Sequence, residues 1–439
     1  MSPVPGPTDA DHASDPATPP AFSARTAFPA RAVVDLDAIA DNVRRLRQVA
    51  ARSEVMAVLK ADAYGHGLLP SARAALAGGA TWLGVAQLVE AIRLREGLAD
   101  RTAVTDPPAP RLLTWIFSPG PETHRALVRA IELDIDLSAG SPVALDAVVA
   151  AAREVGRPAR LHLKVDTGLA RGGQFLEPWT AMLADALAHE AAGHVAVVGL
   201  WSHLARAEED DDTTDRQLDV FREALRRADE AGARVQVRHL ANSAGTLLRP
   251  DTHFDLVRPG LAVFGLSPVP GRSPADLGLA PAMRLEADIM LVKDAPAGQG
   301  VSYGHTYTTQ RATRLADLPL GYADGIPRHV SGVGPVQVAG RRHTIAGRVC
   351  MDQMVLDVGP DSTVSAGDTA VLWGSGRDGE PTAEDWARAA GTISYEIVTR
   401  LGARVPRVHV GTAGTAATPP ADPTSPTAPD PVPTQKTTA

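Results

Sequence analysis

Cysteine is almost absent. Cys350 is the single one among 439 residues, which excludes an intrachain disulfide framework. It also has no partner for a zinc site, and no H-E-x-x-H motif occurs, so no metal is expected. No apolar run approaches the roughly 18–20 residues of a membrane span. The opening MSPVPGPTDADHASDP has no basic segment and no apolar core. No secretory signal is therefore expected, and the cytoplasm is the default compartment. There is no Walker loop, no G-x-S-x-G elbow, and no G-x-G-x-x-G after the first strand. The net charge of −8 argues against a nucleic-acid surface.

Lysine is the more telling shortage. Of 43 basic residues only Lys60, Lys164, Lys293 and Lys436 are lysines. An amine can lose its proton and act as a nucleophile where a guanidinium cannot, so these positions are where amine chemistry is sought. Aromatic residues are also few, at 4%, and the five tyrosines are Tyr64, Tyr303, Tyr307, Tyr322 and Tyr395. All five lie in short segments containing Gly or Ser.

What is present describes a soluble globular chain, with 44% hydrophobic and 21% charged residues. Its length suggests two domains plus tails. Residues 1–30 and 412–439 hold seven prolines each, mixed with Ala, Thr, Asp and Ser, and predict disordered tails. Over residues 31–279 short β-like runs alternate with longer helix-like runs. Strands are expected at Ala32–Asp35, Val55–Lys60, Trp82–Val85, Arg111–Ile116, Ile131–Leu137, Arg160–Val165, Val195–Trp201, Gln236–His239 and Leu256–Arg258. That rhythm predicts an α/β fold, a (β/α)8 TIM-type barrel. Over residues 280–411 short apolar runs separated by Gly, Asp and Pro predict a smaller, mostly-β domain. One helix, Thr382–Leu401, interrupts it and Arg407–Val410 closes it.

Several segments could carry chemistry. AVLKADAYGHG places Lys60 at the C-terminal end of an apolar strand, the end that faces the active site in a barrel. Partial desolvation there would lower the affinity of the amine for its proton and suit it to a Schiff base. The alternative is a strand-end lysine pointing into solvent. Tyr64, four residues on, could approach a phosphate. RLHLKVDTGLAR puts Lys164 inside an apolar stretch, where an unpaired ammonium is costly. It must be paired with Asp166, neutralised or modified. Trp201-Ser-His203 ends another strand. His239-Leu-Ala-Asn242-Ser243 leads into a helix start, where Ser243 and neighbouring amides could hold a phosphate or serve only as a cap. Gly260, after Arg258, lets backbone amides approach a phosphate closely. In the β region VSYGH, GYADG and GRVCMDQ are polar-aromatic turns.

Together these segments closely resemble the alanine racemases, pyridoxal-phosphate enzymes with a barrel and a C-terminal β domain. AVLKADAYGHG, KVDTG, HLANSAG, VRPGLAVFGLSP, VSYGHTYT, PLGYADG and GRVCMDQM occur in that order, and the resemblance spans about residues 31–411. It implies pyridoxal 5'-phosphate as cofactor, alanine as substrate and a homodimer whose sites are shared, with no nucleic-acid or membrane partner. By position, Lys60 would hold the cofactor as an internal aldimine, and Arg258 would face its pyridine nitrogen with His239 orienting it. Tyr64, Ser243 and the amides of Gly260 and Leu261 would hold the phosphate, with Asn242 in support, and His203 would lie beside the ring. Arg171 would pair with Tyr303 and bind the substrate carboxylate, with Met351 contributing its backbone. Lys164 would be carbamylated. Tyr322 and Arg348 would line the access channel, with Asp352 nearby. Lys60 and Tyr303 would be the two bases, one per face, interconverting L- and D-alanine and supplying D-alanine for peptidoglycan.

Four positions depart from the family pattern: Ala170, the Glu208-Glu209 pair, Phe264, and Ala403 in a segment where many members carry a phosphate-contacting tyrosine. At Ala403 a hydroxyl is expected to be missing. A broader-specificity racemase acting on serine or lysine is the alternative activity. A barrel-type decarboxylase is a more distant one, because such enzymes set a carboxylate against the pyridine nitrogen where this chain has Arg258. A non-catalytic cofactor carrier would lack the β domain and Tyr303.

Overall fold

The computed structural model describes residues 28–99, 109–209 and 211–413. Most of both expected tails lies outside these residues. Ala30, however, begins strand β1 (Ala30–Asp35), and the amides of Thr412 and Ala413 bind the Asp37 carboxylate, so the folded chain reaches slightly further than 31–411.

Eight parallel strands form the barrel: β2 (Glu54–Val58), β3 (Trp82–Gln87), β4 (Arg111–Ile116), β5 (Asp136–Ala139), β6 (Ala159–Lys164), β7 (Val195–Trp201), β8 (Val237–His239) and β9 (Leu256–Val257). Each of β2 to β7 pairs in parallel with the next, and β9 pairs with β2. Asp255 N–H to Arg238 O (3.1 Å) and Arg258 N–H to Ala241 O (2.9 Å) join β8 to β9 and close the ring. Helices cover the outer face, so the strands read as nearly continuous apolar runs rather than alternating ones. Thr213–Glu230 shows the reason for one such helix: Leu218, Phe221, Ala224 and Ala228 recur at helical spacing and are buried, while Arg226 and Glu230 face out.

β1 was expected to open the barrel. Instead it pairs antiparallel with β10 (Met283–Asp288) and parallel with Arg407–Val410. It thus belongs to a six-stranded sheet of order Arg341–Thr344, Pro335–Val338, Thr369–Trp373, β10, β1, Arg407–Val410. The physical reason is closure. Nine strand candidates compete for an eight-stranded ring, and a closed ring has no edge for a ninth. Smaller antiparallel sheets complete the β domain: one of Leu291–Ala295, Thr313–Leu318 and Met354–Asp357, and a hairpin of Gly300–Val301 with Tyr307–Thr308.

Two other expectations shift. The run Ile131–Leu137 is divided: Ile131 closes helix Pro121–Glu132, Asp134 turns the chain with φ +58°, and the strand starts at Asp136. The helix expected over Thr382–Leu401 is two, Ala383–Ala390 and Ser394–Thr399, because Gly391 caps the first in the left-handed region with φ +65°. Among the described residues no helix is long and apolar enough to cross a membrane.

Candidate active site

A cavity of about 1060 Å³ opens at the C-terminal ends of the barrel strands. Lys60 enters it from the residue pair after β2. The four residues that follow, Ala61 to Tyr64, all hold positive φ (55°, 52°, 57° and 53°), one turn of left-handed helix built without glycine. Such a conformation costs L-residues roughly 1–2 kcal/mol each, so it persists only where its surroundings fix it. Here Glu90 Oε1 accepts from Ala61 N–H (2.7 Å) and Asp62 N–H (3.4 Å), Asp62 accepts from Leu68 N–H (2.9 Å), and Arg407 Nε donates to Gly65 O (2.8 Å). The turn sets Lys60 and Tyr64 on the cavity wall together, with Nζ 5.9 Å from the phenol centroid.

Opposite stands a polar cradle. Ser243 Oγ accepts from the amides of Gly260 (3.0 Å) and Ala262 (3.2 Å), and Asn242 caps helix Ser243–Leu248 through Gly245 N–H (3.0 Å). The cap is therefore Asn242 and not Ser243, the residue for which a capping role was considered, and the Gly260 amide already donates to Ser243. A Cβ on Gly260 would lie 2.2 Å from the Tyr64 hydroxyl, so only glycine keeps this space open. Tyr395 lines the same wall, its ring 6.2 Å from that of Tyr64. A second hydroxyl is therefore present although Ala403 carries none. Helix Ser394–Thr399, not the later RVPR segment, delivers it. The one sequence signal for it was the scarcity of tyrosine.

The cavity is strongly cationic. Lys60, Lys164, Arg171 and Arg258 all line it. Burial, and then Arg171, hold Lys60 below the ordinary lysine value. Burial first, and then Arg258 and Arg171, pull Lys164 down to about 8. Its Nζ lies 4.3 Å from the Trp201 ring centroid. The buried Lys164–Asp166 pair considered from sequence does not form: Asp166 instead accepts from the amides of Gly168, Ala170 and Arg171.

Arg258 is buried at the closing end of β9. Its Nη2 donates to Ser202 O (2.8 Å) and Leu240 O (3.2 Å) and lies 3.3 Å from His203 Nδ1; Nη1 lies 3.4 Å from His239 Nδ1. The Trp201 ring stacks on His239 at 5.5 Å, nearly parallel at 3°. Burial lowers Arg258 to about 9, which leaves it cationic at neutral pH. Burial, with Arg258 beside them, holds His203 and His239 well below the ordinary histidine value, so both are neutral.

The remaining predicted residues gather elsewhere, on one face of the β domain. Ser302, next to Tyr303, donates to Arg348 O (2.7 Å); Tyr322 N–H donates to Cys350 O and Ala323 N–H to Met351 O (both 3.0 Å); Arg404 bridges Asp352 (2.7 Å) and Asp324 (3.2 Å). Tyr303 is 71% exposed, Met351 53% and Tyr322 43%, and none of them lines the cavity. Within one chain Arg171 and Tyr303 do not meet.

The residues present fit an anionic, aldehyde-bearing cofactor. They offer one amine poised for covalent attachment, a cradle of amides and hydroxyls that a single Cβ would fill, and the cations Lys60, Lys164, Arg171 and Arg258, which outnumber the carboxylates Glu208 and Glu384 on the same lining. Fold and site thus define a (β/α)8 barrel protein with an amine-bearing, cationic cavity at its mouth. Comparison makes this specific. "Alanine racemase, N-terminal domain" matches residues 34–268 and "Alanine racemase, C-terminal domain" residues 282–409. An alanine racemase of Beutenbergia cavernae is 63% identical over 385 residues, covering 88% of this chain and 98% of its own. The crystal structure of alanine racemase from D-cycloserine-producing Streptomyces lavendulae superposes with a TM-score of 0.83 at 52% identity, over 88% of this chain and 98% of that one. That from Streptomyces coelicolor A3(2) gives 0.83 at 50%, over 89% and 100%. The chain belongs to the alanine racemase family.

Proposed function

We propose that this protein interconverts L- and D-alanine with pyridoxal 5'-phosphate, in sites that two copies of the chain share. The observation that carries the reading is a lysine of weakened proton affinity in a cationic barrel-mouth cavity, beside a glycine cradle under Tyr64. When bound, the cofactor supplies an electron sink that acidifies the alanine α-proton.

The chain's residues do the rest. Lys60 Nζ would hold the cofactor at its aldehyde carbon. Tyr64, Tyr395, Ser243 and the Leu261 amide would hold its phosphate, and Arg258 would face its ring nitrogen. Arg258, a cation at neutral pH, could not take a proton from that nitrogen or share one with it as a carboxylate would, and so would moderate the sink and favour reprotonation over side reactions. Arg171 takes the substrate carboxylate. Removing a proton from one face and returning one to the other needs a base on each. Lys60 Nζ would serve as the base on the D-alanine face. Tyr303 Oη of a second copy serves the L-alanine face, with Arg171 favouring its phenolate. Exposure of the whole Tyr303–Tyr322–Met351 face supports its use against another subunit's barrel. Lys164 reacts through its neutral amine with carbon dioxide, releasing a proton, and the resulting carbamate anion offsets Arg171 and Arg258. The product D-alanine serves peptidoglycan synthesis in the cytoplasm.

The test is incubation of L-alanine with the pure protein in deuterated water. Loss of optical rotation with one deuterium at Cα is expected. Decarboxylation, or racemisation of serine or lysine in preference to alanine, would overturn the substrate assignment.

A further inference from the structure

Behind Arg258 a chain of buried polar groups crosses the barrel from its active-site end to its opposite end. His239 Nε2 lies 2.9 Å from His162 Nδ1, and His162 Nε2 lies 3.0 Å from Asp136 Oδ2. Both imidazoles and the Asp136 side chain are fully buried. Asp136 starts β5, and Arg111 and Arg160, from the starts of β4 and β6, also donate to it, the latter through Nε at 2.5 Å. Those arginines are partly exposed at the closed end of the barrel.

The direction of every bond is forced. Asp136 is ionised, its carboxylate stabilised by His162, Arg111 and Arg160 against the cost of burial. A carboxylate only accepts, so His162 Nε2 carries a proton. Burial keeps His162 neutral, so its Nδ1 is bare and accepts. His239 must then donate from Nε2, which leaves His239 Nδ1 bare, facing the Arg258 N–H. The opposite tautomer of His239 would set donor against donor.

We propose that Asp136 and His162 are positioning residues for Arg258: a one-way chain of hydrogen bonds fixes the tautomer of His239 and thereby the edge that Arg258 presents to the cofactor ring nitrogen. The inference rests on the reading of Arg258 given above. A carboxylate that fixes a histidine tautomer has a known scale of effect: where the histidine itself moves the proton, loss of that carboxylate costs about 10⁴-fold in kcat. Here the histidine acts at one remove, through Arg258, so a smaller loss, roughly 10- to 100-fold, is expected.

The experiment uses the cofactor-loaded enzyme with ¹⁵N-labelled histidine, as wild type and as Asp136→Asn, His162→Phe and His162→Gln. In wild type both buried imidazoles should show a bare Nδ1 and a protonated Nε2. Asp136→Asn and His162→Phe should shift the His239 signals away from that pattern, move the visible band of the bound cofactor, and lower kcat roughly 10- to 100-fold with KM changed less than about twofold. His162→Gln keeps a donor for Asp136 and an acceptor for His239, so it should recover most of kcat. Unchanged His239 signals and kcat within about twofold in Asp136→Asn, with only the unfolding midpoint lowered, would overturn the proposal. So would equal losses in His162→Gln and His162→Phe. An Arg258→Lys control separates the two readings. If it turns over normally, the role of Arg258 falls; if it is impaired while Asp136→Asn is not, the chain behind it falls.

Discussion

The barrel mouth and the exposed face of the β domain hold the two groups of residues on which the proposed chemistry rests, and they differ in burial and in charge. The barrel half is buried, cationic and rigidly fixed. Its lysine sits on a strained left-handed turn tied down by Glu90, Asp62 and Arg407. The β-domain half carries its tyrosine on a hairpin loop, 71% exposed and outside the cavity. A group that must be preorganised in the cofactor pocket is built into one chain; a group that need only meet that pocket can come from another. On the proposed reading, a single copy of this chain contributes one half to each of two sites.

The contrast can be sharpened first where it is steepest. Lys60→Ala should abolish covalent attachment of the cofactor, read as absence of the visible band before reduction and, after borohydride reduction, of the label that wild type carries on the peptide containing residue 60. Label on Lys293 would break the assignment. Tyr303→Ala should leave that attachment intact while abolishing racemisation.

Within the barrel half, Gly260→Ala should weaken cofactor binding about tenfold or more, since its methyl would overlap the Tyr64 hydroxyl at a cost of roughly 1–3 kcal/mol. Dialysis against cofactor-free buffer, with absorbance followed, measures it. Tyr395→Phe removes one hydroxyl from the same wall and should cost less, about 0.5–1.5 kcal/mol or several-fold in cofactor retention.

A further effect concerns pH. Unmodified Lys164 has its proton affinity lowered from 10.5 to about 8 in the fold. Between those values the unfolded chain binds the extra proton, so unfolding free energy should rise as pH rises from about 8 to 10.5. Below about pH 8 both states are protonated and the burial penalty is present in full. Lys164→Met should flatten that slope. Carbamylation should raise stability at neutral pH in bicarbonate, as denaturation midpoints with and without it would report.

Much of the barrel half was legible in the sequence because its groups sit in contiguous motifs at strand ends. Lys60, Lys164, Arg171, His203, Ser243 and Arg258 were all named there, and all line one cavity. What was hidden depended on distant parts of the chain. The left-handed turn after Lys60 contains no glycine at its four positive-φ residues, so nothing local announced it. β1 reads as a barrel strand until the ring is seen to close without it. Tyr395 looked unremarkable because its segment is helical and the missing hydroxyl was sought at residue 403. His162 lay unnoticed within a segment that was read for its lysine. Asp136 lay hidden inside a run taken as apolar strand, and only the barrel brings the two into contact.

The central claim, a site divided between copies, is tested most directly by mixing. Tyr303→Ala and Lys60→Ala, each inactive alone, are unfolded and refolded together in equal amounts. Random pairing makes about half the dimers mixed, and in each mixed dimer one site carries both lesions and the other neither. The account predicts that about a quarter of wild-type activity returns. No recovered activity, with mixed dimers verified by mass, would mean that both residues act within one chain and would contradict it.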